Sequence, residues 1–382
     1  MKHAVVLNSD RMPVIEELGR RADLRFSVFT ASRYAPLYGS NERYSVESLT
    51  AVDSVCAAGL ALARATPIDY VISATEKSMV AAAHLRAHLG IPGQRVDQAL
   101  AFTNKSEMKR VLRAADLPVA DSCLVFRSSA VIAAARHLRL PVVVKPSVGS
   151  GGKNTVVVRD EEELARSIAE GNFDWIDASD VPAQLETLVP VIAEYHCDSV
   201  VWNGEVVSAS IGRYFEPLIG FDRASIGGSV RIAQDGAVAG SIRDLNSRVI
   251  SSLGLRAGIT HLECFTTADG LVVGEIACRP GGGGVVPMVK RATGVDLWAC
   301  LVDCETGVAP VIPEAKSALV VGWTWVRSEE VDLETIRGLA GVVDICPESE
   351  AGVFVVILES ESEEEITQLH ERIALARAAV VR

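Results

Sequence analysis

No two of the eight cysteines stand as a Cys-x-x-Cys pair; Cys56, Cys123, Cys197, Cys264, Cys278, Cys300, Cys304 and Cys346 are scattered through apolar segments. That spacing fits a reduced, cytoplasmic setting. Basic residues are also scarce: 37 Lys and Arg against 49 Asp and Glu leave a net charge of −12 at pH 7. A nucleic-acid backbone or an anionic membrane would repel such a chain at long range, so neither is an expected partner. A charged leader followed by an apolar stretch is missing too, because Met1 runs straight into the strand-like His3-Ala-Val-Val-Leu-Asn8. No apolar run is long enough to span a bilayer. What remains is 382 residues, 49% of them hydrophobic, too many for one compact core and enough for two or three units.

Apolar runs alternate with helical patterns through the first hundred residues: Val5 to Leu7, Val14 to Arg21, Phe26 to Phe29, Glu47 to Ala65, Tyr70 to Ser73, Ser78 to Leu89. This order predicts βαβαβα around a parallel sheet. The turn after the first strand, Asn8-Ser-Asp-Arg-Met-Pro13, has no glycine, which excludes the close backbone approach of a dinucleotide site. The expected unit, residues 1–97, is therefore Rossmann-like without being an NAD domain. A second unit, 98–187, opens on the capped helix Asn104-x-x-Glu107 and carries strands on both sides of a glycine-rich loop. A third, 188–312, contains hairpins turning at Asn203-Gly204 and at Ala268-Asp-Gly270. Strands and helices alternate again in 313–382, a small α+β unit.

The glycine-rich loop, Ser147-Val-Gly-Ser-Gly-Gly-Lys-Asn154, fails the Walker A pattern at both ends and is followed by a strand rather than a helix. It reads either as a plain hairpin turn or as a mobile tip whose bare amides, with Ser150, Gly151 and Gly152 at its centre, fold over phosphates. Lys145 ends the otherwise apolar Val142-Val-Val-Lys, where an ammonium suits a phosphate oxygen or else snorkels to solvent. Glu263 and Glu275 lie on opposite strands of the Thr260 to Ala277 hairpin, and a three-residue turn at 268–270 would set them face to face. Like charges so placed are destabilising unless a cation sits between them, and carboxylate oxygens suit Mg2+. Strand parity puts His261, Glu263, Glu275, Ala277 and Arg279 on one face; a register slip of one residue would undo this. The run Pro280-Gly-Gly-Gly-Gly284 opens a helical pattern, so Gly281, Gly282 and Gly283 are candidate anion-binding amides or a flexible link.

In this order these features resemble the ATP-grasp superfamily, and especially its carboxylate-amine ligases, including amino-acid ligases that form dipeptides. The likeness runs from about residue 91 to 300. Phe102-Thr-Asn-Lys-Ser-Glu-Met-Lys109 looks like the family's opening helix, which implies that Lys105 touches the inner phosphates of ATP; Val144-Lys-Pro146 looks like its strand with a second phosphate lysine, Lys145. Gln184-Leu-Glu-Thr-Leu-Val189 resembles the linker between the grasping halves, implying adenine contacts from Glu186 and the backbone of Leu188 and Val189, with Glu194 on the ribose hydroxyls. His261-Leu-Glu263 and Glu275-Ile-Ala-Cys-Arg-Pro280 resemble the metal-binding strands, with Arg279 as the transition-state arginine. The chain departs from the family where Ala277 replaces a common Asn and where Pro190-Val-Ile-Ala193 lacks a glycine.

The resemblance implies an α/β chain with the ATP-grasp fold: a Rossmann-like N-terminal domain, two α+β halves clasping ATP, and a small C-terminal subdomain. It implies an ADP-forming ligase acting through an acyl phosphate, with ATP and Mg2+ (Mn2+ as an alternative) and small-molecule carboxylate and amine substrates. Arg279, the Gly281 to Gly283 amides, Ser229 and His261 are candidate substrate contacts, and the stretch from Gly212 to Arg231 is a candidate substrate wall. A homodimer is the default expectation. Two other readings stay open, an ATP-dependent carboxylase using bicarbonate and a nucleotide-binding module without turnover. His84 and His88, at helical spacing without a third ligand, read as a solvated helix face; Cys300 and Cys304 read as core.

Overall fold

The computed structural model describes residues 1–149, 151–219, 226–314, 319–348 and 352–380. Its first sheet contains β1 (Lys2–Leu7), β2 (Leu24–Ala31), β3 (Arg43–Val46) and β4 (Tyr70–Ser73), all parallel, in the order β3-β2-β1-β4. The helices α1 (Met12–Arg20), α2 (Val52–Ala65) and α3 (Met79–Leu89) cover it. A strand covered on both faces must be apolar on both, and in β1 every residue after Lys2 is buried. In place of glycines, the turn after β1 closes on Asn8, whose side chain bonds both the carbonyl and the amide of Arg11. The sequence boundary at 97/98 falls inside the next helix, α4 (Val96–Thr103), which leads into α5 (Lys105–Ala114).

A separate antiparallel sheet of order β5-β8-β6-β7 follows, built from β5 (Ser122–Val125), β6 (Val142–Pro146), β7 (Val156–Val158) and β8 (Ala183–Thr187). The helices α6 (Val131–Leu138) and α7 (Glu161–Ala169) pack on it, and Asp160 caps α7 as its sequence predicts. Several contacts tie this layer to the rest of the molecule. One is a bridge from Asn104 to Val148; another is the Lys105 amide, which donates to the Ser147 carbonyl at 2.8 Å.

The third sheet has eight strands, in the order β13-β12-β9-β10-β11-β14-β16-β15. They are β9 (Ala193–Trp202), β10 (Glu205–Tyr214), β11 (Gly228–Arg231), β12 (Gly258–Thr267), β13 (Gly270–Ala277), β14 (Val320–Arg327), β15 (Val342–Pro347) and β16 (Val353–Ser360). Helices α8 (Ala237–Ser252), α9 (Val285–Thr293), α10 (Leu297–Thr306), α11 (Leu333–Arg337) and α12 (Glu363–Val380) pack around it. Strands β14, β16 and β15 extend the central sheet through the β11–β14 pairing. The Asn203-Gly204 turn forms, with both residues at positive φ (56° and 86°).

The predicted three-residue turn at 268–270 is corrected. Thr267 pairs with Gly270, leaving a two-residue turn, and the missing residue is made up by a bulge at Gly274, between Val273, which faces Cys264, and Glu275, which faces Glu263. The expected pairing of the two glutamates therefore stands, through a different mechanism. The apolar core is largest where α9 and α10 join the first and third sheets, around Val6, Ile259, Met288 and Leu301.

Candidate active site

The site gathers where the three sheets meet. Asn104 caps α5, accepting from the amides of Ser106 (2.9 Å) and Glu107 (3.2 Å), and so fixes Lys105 at the first helical position. The Lys105 ammonium donates to the Gly149 carbonyl at 2.6 Å and pairs with Glu275 Oε2 at 3.2 Å. Lys145, at the end of β6, pairs with Glu186 Oε1 of neighbouring β8 at 3.1 Å. A third ammonium, on Lys109, lies 3.1 Å from the other oxygen of Glu186 and is buried. Burial pushes the Glu186 carboxyl up, but the two lysine charges hold it below the usual range. Burial lowers Lys109, with Glu186 opposing, whereas the same burial of Lys145 is outweighed by Glu186 and Glu275, which raise it.

The loop between β6 and β7 takes left-handed backbone at Gly151, Gly152 and Asn154, at φ 72°, 66° and 58°. Neither Gly151 nor Gly152 has a neighbour within 4 Å of where a Cβ would stand, so turn geometry, not packing, calls for glycine there. Ser150 lies outside the described residues, as do Gly220 to Ser225 of the expected substrate wall. In the linker, the Leu188 amide, expected on adenine, donates instead to the Pro141 carbonyl at 2.9 Å.

Glu263 and Glu275 are cross-strand partners on one face. Each has a cationic neighbour, Lys105 for Glu275 and His261 for Glu263, the latter at 3.3 Å, and the Tyr214 hydroxyl donates to Glu263 at 3.5 Å. The two adjacent carboxylates offer hard oxygen donors of the kind that fits Mg2+ or Mn2+. Buried Glu194 lies close by; its Oε2 accepts from the Leu218 amide at 2.7 Å, and burial, with the Glu263 charge, pushes it up to about 8.

Arg279 follows β13, and its guanidinium pairs with Glu76 Oε2 at 3.3 Å. Glu76 opens the short helical turn after β4, so the first sheet's C-terminal edge meets the third sheet at this point. Burial pushes the Glu76 carboxyl up, against Arg279 and Lys105.

Beneath Glu263 runs a buried chain of side chains. Ser229 lies 2.8 Å from His196 Nε2, His196 Nδ1 is 2.6 Å from Asp198, Asp198 is 2.7 Å from His261 Nδ1, and His261 Nε2 faces Glu263. Burial pushes Asp198 up, but the two imidazoles hold it well below the carboxylate range, so both Nδ1–H groups donate to it. Burial alone would lower His261; Asp198 and Glu263 overturn that and raise it to about 10. The donor atoms of His196, Asp198 and His261 lie within 4.8 Å of one another, but each imidazole is already hydrogen-bonded to a separate Asp198 oxygen, which is the geometry of a relay.

Packing accounts for most of the glycine run after Arg279. A Cβ on Gly281 would come within 2.8 Å of Asp198 and 2.9 Å of His261, and one on Gly283 within 2.5 Å of the Trp323 indole, while Gly282 is exposed with nothing in reach. Sequence reasoning reached Lys105, Lys145, Glu263, Glu275 and Arg279 but missed Glu76, Lys109, His196 and Asp198. A signal existed for three of them. Lys109 stands four residues after Lys105 on the apolar face of α5, and Glu194, His196 and Asp198 alternate along a strand that is otherwise apolar.

A model of the ATP-grasp domain matches residues 110–293. The chain is 33% identical over 307 residues to the L-arginine-specific L-amino acid ligase of Bacillus subtilis, covering 78% of this chain and 74% of that one. The L-amino acid ligase of Bacillus licheniformis superimposes with a TM-score of 0.77 at 18% identity, over 98% of both chains. The carboxyaminoimidazole ribonucleotide synthase of Aspergillus clavatus, complexed with ATP, gives 0.78 at 13% identity, over 100% of this chain and 99% of that one. The chain belongs to the ATP-grasp family. It is an ATP-dependent carboxylate-amine ligase.

Proposed function

We propose that the chain joins two amino-acid-like substrates through an amide bond, phosphorylating the carboxylate of one with ATP and passing the acyl group to the amine of the other. The observation that carries this is the convergence of Lys105, Glu263, Glu275 and Arg279 at the meeting point of the three sheets, beside a similarity in sequence to an amino-acid ligase.

In this reading Lys105 and Lys145 hold the phosphates from two sides while the amides of Gly151 and Gly152 cover them. Leu188, Val189 and Glu194 line the nucleoside end; Glu186, also expected on adenine, has its two oxygens held by Lys109, Lys145 and Gln184 instead. A divalent cation on Glu263 and Glu275, Mg2+ with Mn2+ as alternative, would supply charge neutralisation for the phosphates. In-line attack of the substrate carboxylate on the γ-phosphorus forms a mixed anhydride and releases ADP, and this asks the protein only for positioning and positive charge. Arg279, oriented by Glu76, faces the acyl phosphate; as the amine attacks the carbonyl carbon, the Arg279 guanidinium stabilises the oxyanion until the C–O bond breaks and phosphate departs with the proton that the amine gives up. His261 and the exposed Gly282 and Gly283 remain for the substrate's own polar atoms, whereas Ser229 and Gly281, also expected there, are buried, Ser229 on His196 and Gly281 against Asp198 and His261. We place the enzyme in the cytoplasm, as a homodimer, with no nucleic-acid or membrane partner. No helix among the described residues is long and apolar enough to cross a membrane.

The test is a panel of amino acids and small carboxylates with ATP and Mg2+, with hydroxylamine as trap. ADP with a hydroxamate of the activated amino acid is the expected result; AMP would sink the acyl-phosphate step. Turnover with bicarbonate alone would point to a carboxylase, and no turnover with any acid to a binding module.

A further inference from the structure

Glu186 is a single carboxylate with two ammonium groups, one on each oxygen, both at 3.1 Å. One cation would balance it; the second, on Lys145, also feels the Glu275 and Glu263 carboxylates. The two lysines are not equivalent. The Lys109 side chain is 1% exposed, held on α5 between buried Met108 and Leu112, whereas that of Lys145 is 19% exposed and ends the strand that leads into the glycine loop. A buried carboxylate stripped of its only counter-ion is costly, so a lysine can leave Glu186 only if another stays.

We propose that Lys109 is a positioning residue, a resident counter-ion on Glu186 that frees Lys145 to move from that carboxylate to the phosphates of the nucleotide. The inference rests on the assignment of Lys145 to the phosphates made above. Glu186 then acts as a parking site: it keeps the Lys145 ammonium charged and aimed along β6, and Lys109 keeps the release inexpensive. Without Lys109, Glu186 would hold Lys145 and compete with the phosphates for it.

The experiment is calorimetric titration of the full chain with ATP plus Mg2+, and separately with adenosine, on wild type, Lys109→Met, Glu186→Gln and the double variant. Lys109→Met is expected to weaken ATP binding by about tenfold or more while moving adenosine by less than about twofold, because only the phosphates need Lys145. The double variant should bind ATP within about twofold of Glu186→Gln alone, since a neutral residue at 186 has no need of Lys109. A purely structural lysine would not give that rescue. Unchanged ATP affinity in Lys109→Met, or a double variant about tenfold weaker than Glu186→Gln, overturns the inference. Should Lys109→Met fail to fold, the comparison of Glu186→Gln with the double variant decides alone. Wild-type protein that binds no ATP overturns the nucleotide site itself, a result distinct from any of these.

Discussion

Glu263 and Glu275 repel each other across a hairpin, and the molecule tolerates this by setting a cation against each: Lys105 at 3.2 Å from Glu275, and protonated His261 at 3.3 Å from Glu263. In the proposed function a divalent ion takes over part of this neutralisation. Glu275→Gln and Glu263→Gln should each lower kcat by about 100-fold or more, as loss of a group that positions charge in the transition state does. Steady-state ADP release at saturating ATP checks this, and Mn2+ titration by electron paramagnetic resonance should show the lost ion directly. A variant that keeps both activity and ion would remove Glu263 and Glu275 from the metal site. These residues were legible because a hairpin brings them together within one short stretch of sequence. Glu76 was not, since its partner Arg279 lies 203 residues away and no local pattern joins a β4 terminus to a β13 terminus.

At the scale of elements, the glycine run 281–284 is a packing surface over the Asp198–His261 relay and Trp323, with its only open position at Gly282. Gly281→Ala should cost roughly 1–3 kcal/mol, the usual range for forcing an extra carbon into a filled space. Gly282→Ala should cost less than about 0.5 kcal/mol. Urea unfolding midpoints of the two variants test the contrast, and equal losses would refute it. Helix α12 offers a second test. His370 is buried on α12, stacked on Phe215 with ring centroids 4.0 Å apart and hydrogen-bonded to Thr324 at 3.1 Å, and burial lowers it to about 4. It is neutral when folded and takes up a proton more readily when unfolded. Its share of stability is therefore full above the unfolded value near 6.5 and drains away as pH falls toward 4. Wild type should lose roughly 3 kcal/mol more than His370→Phe between pH 7 and 4, read from urea midpoints. The strand and helix pattern was readable from apolar periodicity, including the Asp160 cap and both hairpins. The bulge at Gly274 was not, because a turn one residue longer predicts the same cross-strand pair. Strand β3 was also missed, being four residues long and mostly exposed.

At the scale of the whole molecule, the first sheet, the β5–β8 layer and the central sheet are separate hydrogen-bonded units whose junction is lined with opposite charges. Lys105 on α5 reaches Glu275 on β13 and the Gly149 carbonyl in the loop, and Arg279 after β13 reaches Glu76 after β4. No stretch of sequence contains such a junction, so the composition that predicted several units could not say how they meet. A ligand that bridges the units stabilises the folded chain by mass action, and at 100 times its Kd the gain is about 2.7 kcal/mol. ATP with Mg2+ at that excess should therefore raise the thermal midpoint by several degrees. Adenosine at the same concentration should raise it by clearly less, because it leaves Lys105 and Lys145 on their carboxylates. Adding EDTA to the ATP sample should take back most of the gain if the ion and the phosphates share one site. An identical shift with and without EDTA would mean that the two carboxylates do not hold the cation of the nucleotide. An adenosine shift equal to that of ATP would mean that the lysines at the junction do not touch its phosphates.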